Sequence, residues 1–215
     1  MSFDILAPHY HWMECVLAGG KLHRCRTSFL DQVPCARSIL LLGEGHGRAL
    51  VECHRRFPHA RIVCVDASQR MLAEARRSLA RNNQDDGRVR FLQADLLHWI
   101  PTGEPCDLII TNFLLDCFRP EQLDRMITQF SEAAGPEASW LIADFKTPSA
   151  GLKRIRGRLI LWTMYTFFRK ITGLPASELT APDQFLERAG FTLTSRIESE
   201  WGLLHSDWWQ KSRLA

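Results

Sequence analysis

Leu40-Leu41-Leu42-Gly43-Glu44-Gly45-His46-Gly47-Arg48 is the stretch that decides the fold of this 215-residue chain. An apolar run, residues 39–42, ends in a loop with glycine at every second position. Residues 48–57 then read as a helix closed by Pro58. Strand, glycine turn and helix open an α/β ligand-binding unit. The glycines let backbone approach a ligand, and the helix offers its N-terminal amides. The spacing is G-x-G-x-G, with Arg48 where a dinucleotide-binding loop wants its third glycine. Such a loop fits a nucleoside ligand lacking a pyrophosphate better than it fits NAD.

Outward from this stretch, strand and helix signals alternate. Residues 61–65 are β-branched and apolar and end at Asp66. Residues 68–82 place Met71, Leu72, Ala75 and Leu79 at helical steps. Further strands are predicted over 89–93, 106–112 and 139–145, and further helices over 121–134 and 182–189. Residues 191–197 and 202–208 are predicted to form a closing antiparallel pair. Continuously apolar strands separated by helices imply a parallel sheet covered on both faces. The expectation is an α/β, Rossmann-like, doubly wound fold with a mostly parallel seven-stranded sheet and a C-terminal antiparallel strand. One domain is expected: an N-terminal segment over 1–36, a core over 37–145, an insertion over 146–181, and closing elements over 182–215.

Composition narrows the class. Hydrophobic residues make up 46% and charged residues 24%, as in ordinary globular proteins, and the net charge of +3 is too small to imply nucleic acid. The first residues lack a signal-peptide pattern, and no apolar run approaches the roughly 18 residues that span a bilayer. The seven cysteines contain no C-x-x-C pair, so reduced, mostly buried thiols, no metal site and a cytoplasmic location are expected.

Two acids complete the glycine loop. Asp66, about twenty residues beyond it, stands at a strand end where a carboxylate accepts ribose hydroxyls. Asp95 follows the third strand in Gln93-Ala94-Asp95-Leu96. Ligands of open α/β sheets lie at the carboxyl ends of the strands, so loop and acids face one crevice.

With these stretches, and with Asp107-Leu108-Ile109-Ile110-Thr111-Asn112-Phe113, the sequence resembles the class I S-adenosylmethionine-dependent methyltransferases. The resemblance covers residues 37–145 most strongly. It implies S-adenosyl-L-methionine as cofactor and a site of Gly43, Glu44, Gly45, Gly47, Asp66, Ala67, Met71, Asp95, Leu96 and Asn112. In it Asp66 binds the ribose and Asp95 meets the adenine amine. There is one departure. The family often carries an acid two residues before the first glycine, where this chain has Leu41, so Glu44 or a water takes over that contact. Phe3-Asp4, Leu6-Ala7-Pro8 and Tyr10, followed by Arg24-Cys25-Arg26, are similar to the start of quinone-biosynthesis methyltransferases. That likeness implies a helical cover with Tyr10 over the cofactor, and a small-molecule acceptor.

Catalytic candidates are His9 and His11, which bracket Tyr10, and Asp116 just past the fourth strand; an N-cap role is an equal reading of Asp116. Residues 145–177 contain Lys146, Lys153, Arg154, Arg156, Arg158, Arg169 and Lys170 and no acid, around an almost wholly apolar run at 159–168. In the family this position commonly supplies a substrate lid, so Trp162, Tyr165 and Phe168 are expected to face an apolar or aromatic acceptor. Two rival readings stand beside that one: a helix that only covers the sheet, and weak attachment to an anionic membrane surface. For the whole chain, the alternatives are an NAD-dependent oxidoreductase and a non-catalytic methyltransferase-like binding protein. No Tyr-x-x-x-Lys pair supports the first, since Tyr165 is followed by Arg169.

Overall fold

Alternate residues of the apolar strands point into two different cores. In β1 (Ser38–Leu42), Leu40 and Leu42 join one buried cluster, and Ile39 and Leu41 join the other. The same split runs through β4 (Cys106–Asn112), where Ile109 faces opposite to Leu108 and Ile110. A strand buried on both faces has no polar side, which is why these runs lack alternation. The computed structural model describes residues 20–84, 86–148, 150–172, 176 and 179–212.

Seven strands form one sheet in the order β3-β2-β1-β4-β5-β7-β6. The remaining strands are β2 (Arg61–Asp66), β3 (Val89–Gln93), β5 (Ala134–Phe145), β6 (Phe191–Ser199) and β7 (Leu204–Lys211). β1 pairs parallel with both β2 and β4, and β7 runs antiparallel to both of its neighbours, β5 and β6. Strand order reverses direction at β1 and β4, which opens a crevice beyond their carboxyl ends.

The helices divide by face. α2 (Arg48–Arg56) and α3 (Gln69–Arg81) bury Leu50, Cys53, Leu72, Ala75 and Leu79 in one core. α4 (Pro120–Ala133) and α6 (Asp183–Arg188) bury Leu123, Met126, Ile127, Phe130 and Leu186 in the other. A short helix, α1 (Lys21–Thr27), lays Leu22 and Cys25 against Ala143 and Leu204, at the end of the sheet that holds the crevice.

Two boundaries differ from the sequence reading. β5 begins at Ala134, five residues before the predicted start at 139. Gly135 and Pro136 read as a loop, yet Ala134 pairs with Cys106 and the register shifts before Leu108 meets Ser139. The closing pair is longer than predicted and ends at Lys211, whose ammonium caps the Ser131 and Ala134 carbonyls at 2.6 and 2.9 Å. The basic insertion is a 22-residue helix, α5 (Gly151–Thr172), which packs Leu161 and Tyr165 against Leu203, Phe145 and Cys117.

Candidate functional site

The glycine loop is built by backbone conformation. Gly43, Gly45 and Gly47 all have positive φ, at 63°, 66° and 80°. A side chain at Gly47 would also collide with Ala75, whose Cα lies 2.7 Å from an added Cβ. At this glycine α2 starts in close contact with α3, so Gly47 serves packing as well as the turn. Asp66 closes the loop from β2: its Oδ2 accepts from the Gly45 amide at 3.3 Å and its Oδ1 from the Ser68 amide at 2.8 Å.

These groups line a cavity of about 660 Å³ at the crevice, within the few-hundred to thousand Å³ range of small-ligand sites. Gly43, Glu44, Gly45, Asp66, Ala67, Met71, Asp95, Leu96 and Asn112, all expected at the site, line it. Gly47 stands just behind, as the N-cap of α2. Asp95 is largely exposed and is tied to the Leu97 amide at 3.0 Å and to His98 Nδ1 at 3.2 Å.

Glu44 is buried and doubly used. Its Oε1 accepts from the amides of Ala49 at 2.6 Å and Leu50 at 3.2 Å, satisfying free N–H groups at the start of α2. Burial pushes its carboxyl up to about 7, against the pull of the Arg26 charge and those two amides. Its Oε2 and the Asn112 Nδ2, both buried, make no hydrogen bond of full geometry among the described residues, although the Asn112 side chain stands close enough to pull the carboxyl down as well. An open acceptor and an open donor at one end of a cavity suit an amino acid's ammonium and carboxylate. That is the methionine end of S-adenosylmethionine, so this donor set fits the cofactor the sequence implies.

Sequence reading missed Arg26 and Phe113 as wall residues. Arg26 reaches the cavity from α1 and lies 4.9 Å over the Phe113 ring. Phe113 holds φ at 53°, an uncommon conformation for a residue with a side chain, and its ring packs 5.2 Å from Phe145. The apolar remainder of the wall includes Leu97, Leu114, Cys117 and Phe118.

The other candidates lie elsewhere. Tyr10, His9 and His11 lie outside the described residues, as does the Phe168 side chain. Trp162 stands on the outer face of α5, 66% exposed, and is not among the residues that line the cavity. Tyr165 points the other way and is buried. It and Asp116 sit behind Cys117, one layer beneath the wall.

Sheet order, glycine turn and acids define a Rossmann-like protein with a nucleoside-type cavity at its switch point. Comparison with known proteins shows what the chain is similar to. The profile of the family described as "Methyltransferase domain" matches residues 39–137. Trans-aconitate 2-methyltransferase of Azoarcus sp. (strain BH72) is 36% identical over 94 residues, covering 43% of this chain and 34% of that protein. The ubiquinone/menaquinone biosynthesis C-methyltransferase UbiE of Syntrophotalea carbinolica is 28% identical over 165 residues, covering 74% of this chain and 68% of that one. The chain spans about a third of the length of the first curated relatives it matches. Among solved structures, the mitomycin 7-O-methyltransferase MmcR superposes with a TM-score of 0.69 at 16% identity, over 99% of this chain and 61% of that one. The N-methyltransferase NodS of Bradyrhizobium japonicum WM9 gives 0.61 at 15%, over 89% and 93%. Residues 39–137 thus match a methyltransferase domain, and the fold is the one that solved S-adenosylmethionine-dependent methyltransferases share.

Proposed function

We propose that this chain transfers a methyl group from S-adenosylmethionine to a small acceptor with an apolar or aromatic body. The observation that carries the reading is the order of groups along one cavity. Sheet order sets them in a row past the strand ends: Asn112 ends β4, Glu44 follows β1, Asp66 ends β2 and Asp95 follows β3, and Arg26 joins them in the lining. In this reading Arg26 and Asn112 hold the carboxylate of the methionine end, Glu44 holds its ammonium, and Asp66 accepts the ribose hydroxyls. Bound S-adenosylmethionine supplies a methyl group on a cationic sulfur, open to in-line attack.

The chain's own part is alignment and exclusion of water. Phe113, Leu114, Cys117 and Phe118 give an apolar wall, which suits a displacement in which charge is dispersed. Holding the two reactants in line can supply about 7–11 kcal/mol of the barrier. Relatives are named for both an aconitate and a quinone; the apolar wall favours a ring-bearing acceptor over a polyacid.

Calorimetry with S-adenosylmethionine, S-adenosylhomocysteine and NAD tests the reading, followed by transfer of labelled methyl to a panel of phenols and quinols. The two adenosyl compounds are expected to bind and NAD to fail. Asp66→Asn should weaken S-adenosylhomocysteine roughly ten- to a hundredfold, the worth of a charge-assisted bond of about 1.5–3 kcal/mol. Binding of NAD alone, or undiminished affinity in a folded Asp66→Asn protein, would overturn it.

A further inference from the structure

Helix α5 has two apolar faces, and the fold uses one. Leu161 and Tyr165 are only 5% and 4% exposed, and Gly157 lets the helix settle against Pro148, whose Cδ lies 2.6 Å from an added Cβ. On the opposite side Leu152, Ile155, Leu159 and Trp162 recur at steps of three and four residues. They are 84%, 68%, 61% and 66% exposed. Four large apolar side chains in one line on a helix are more than the scattered surface leucine of a soluble protein.

Charge frames that line. Arg158 and Arg169, four residues before Trp162 and seven after it, follow one edge. Arg156, four after Leu152, follows the other, and Lys170 continues past the end. All four are exposed, and α5 contains no Asp or Glu. At 22 residues the helix is about 33 Å long. No helix among the described residues is long and apolar enough to cross a membrane.

We infer that this outer face of α5 docks on an anionic lipid surface, with Leu152, Ile155, Leu159 and Trp162 entering the headgroup boundary and the flanking cations meeting lipid phosphates. Charge complementarity selects this occupant. A second copy of the chain would set two acid-free cationic helices against each other. A convex ridge of one helix needs no matching groove to enter a bilayer surface, and Trp with Leu between cations is the composition such helices carry. The inference is independent of the methyl-transfer reading. The docked face lies on the same helix that packs against Cys117 of the cavity wall, so the cavity would stand near the lipid.

Vesicle flotation of the full chain tests it, with phosphatidylcholine vesicles that contain or lack phosphatidylglycerol. Binding is expected only to the anionic vesicles and should fall as salt rises. The triple variant Arg158→Gln, Arg169→Gln, Lys170→Gln should lose about a hundredfold in partitioning, since each cation near such a surface is worth about 1 kcal/mol, or about fivefold. Leu159→Ser with Trp162→Ser should also lose binding while keeping the wild-type melt, because both side chains stand in solvent. Three outcomes would overturn the inference: no flotation of wild-type chain, equal flotation with neutral vesicles, or an unweakened triple variant. A dimer in sedimentation that the serine pair dissociates, without vesicle binding, would assign the face to a second copy instead.

Discussion

The Tyr165 hydroxyl donates to the backbone carbonyl of Asp116 at 3.1 Å and to its carboxylate at 3.3 Å. One hydrogen-bonding group thereby fastens α5 to the Leu115–Cys117 turn beside the cavity. Removing it strands two buried acceptors. Tyr165→Phe is expected to cost about 1–3 kcal/mol of stability, read as an earlier urea midpoint, with S-adenosylhomocysteine affinity little changed. An unchanged midpoint would show that the helix is held by packing alone.

Asp116 in turn donates its amide to Asp144 Oδ2 at 3.2 Å, and both carboxyls are buried. Burial raises both acids, and the neighbouring Asp116 raises Asp144 further, so the pair holds a proton well above the ordinary carboxylate range. The fold then binds a proton that the unfolded chain releases. Stability from the pair is complete below the unfolded value of 3.8 and declines as pH climbs through the raised one. Asp144→Asn should therefore flatten the fall in melting temperature on the alkaline side. A mutant whose melt falls with the same slope as wild type would contradict a shared proton.

Two glycines of one loop should answer differently to the same substitution. Gly45 and Gly47 both have positive φ, so alanine costs about 1–2 kcal/mol at either. At Gly45 the nearest atom to an added Cβ is the Met71 sulfur at 4.0 Å, whereas at Gly47 it is the Ala75 backbone at 2.7 Å. Gly47→Ala must also push α2 and α3 apart. Its loss of stability is expected to exceed that of Gly45→Ala by at least 1 kcal/mol, measured by chemical denaturation. Equal losses would mean that the helices separate freely.

What the sequence disclosed follows from how far each signal reaches along the chain. Gly43, Gly45, Gly47, Asp66 and Asp95 were legible because each sits at the end of a strand whose apolar run marks it. Arg26 and Phe113 were not, since they meet only when α1 folds onto the sheet, 87 positions apart in sequence. Asp144 looked like one more residue of a strand, and only the fold sets it beside Asp116. Trp162 was expected at the substrate because the resembled family commonly has a lid at this position; the apolar run around it carries no phase to say which side faces inward. Pro136 hid the first residues of β5 for a related reason, since proline reads as a break even where one edge of the strand can spare a donor.

Glu44 gives the last test, because it couples protonation to the ligand. Its Oε1 is committed to α2, and its Oε2 makes no hydrogen bond of full geometry, with the Asn112 side chain beside it at the cavity. With the carboxyl pushed up to about 7 by burial, the free protein near neutral pH is divided between protonated and ionised forms. An ammonium at Oε2 would favour the ionised form, so binding should expel protons. Below about pH 7 the affinity for S-adenosylhomocysteine is expected to fall by up to tenfold per pH unit, the limit for one linked proton. The stability of the free protein should run the other way. With the folded value above the unfolded 4.5, stability is highest below 4.5 and is lost as pH rises through 7. Glu44→Gln should flatten both profiles, leaving weaker, pH-independent binding and a melt that no longer falls across that window. Calorimetry near pH 7, in two buffers of different ionisation enthalpy, reads the released proton directly. A wild-type protein that binds without proton release would show that Glu44 serves only to cap α2.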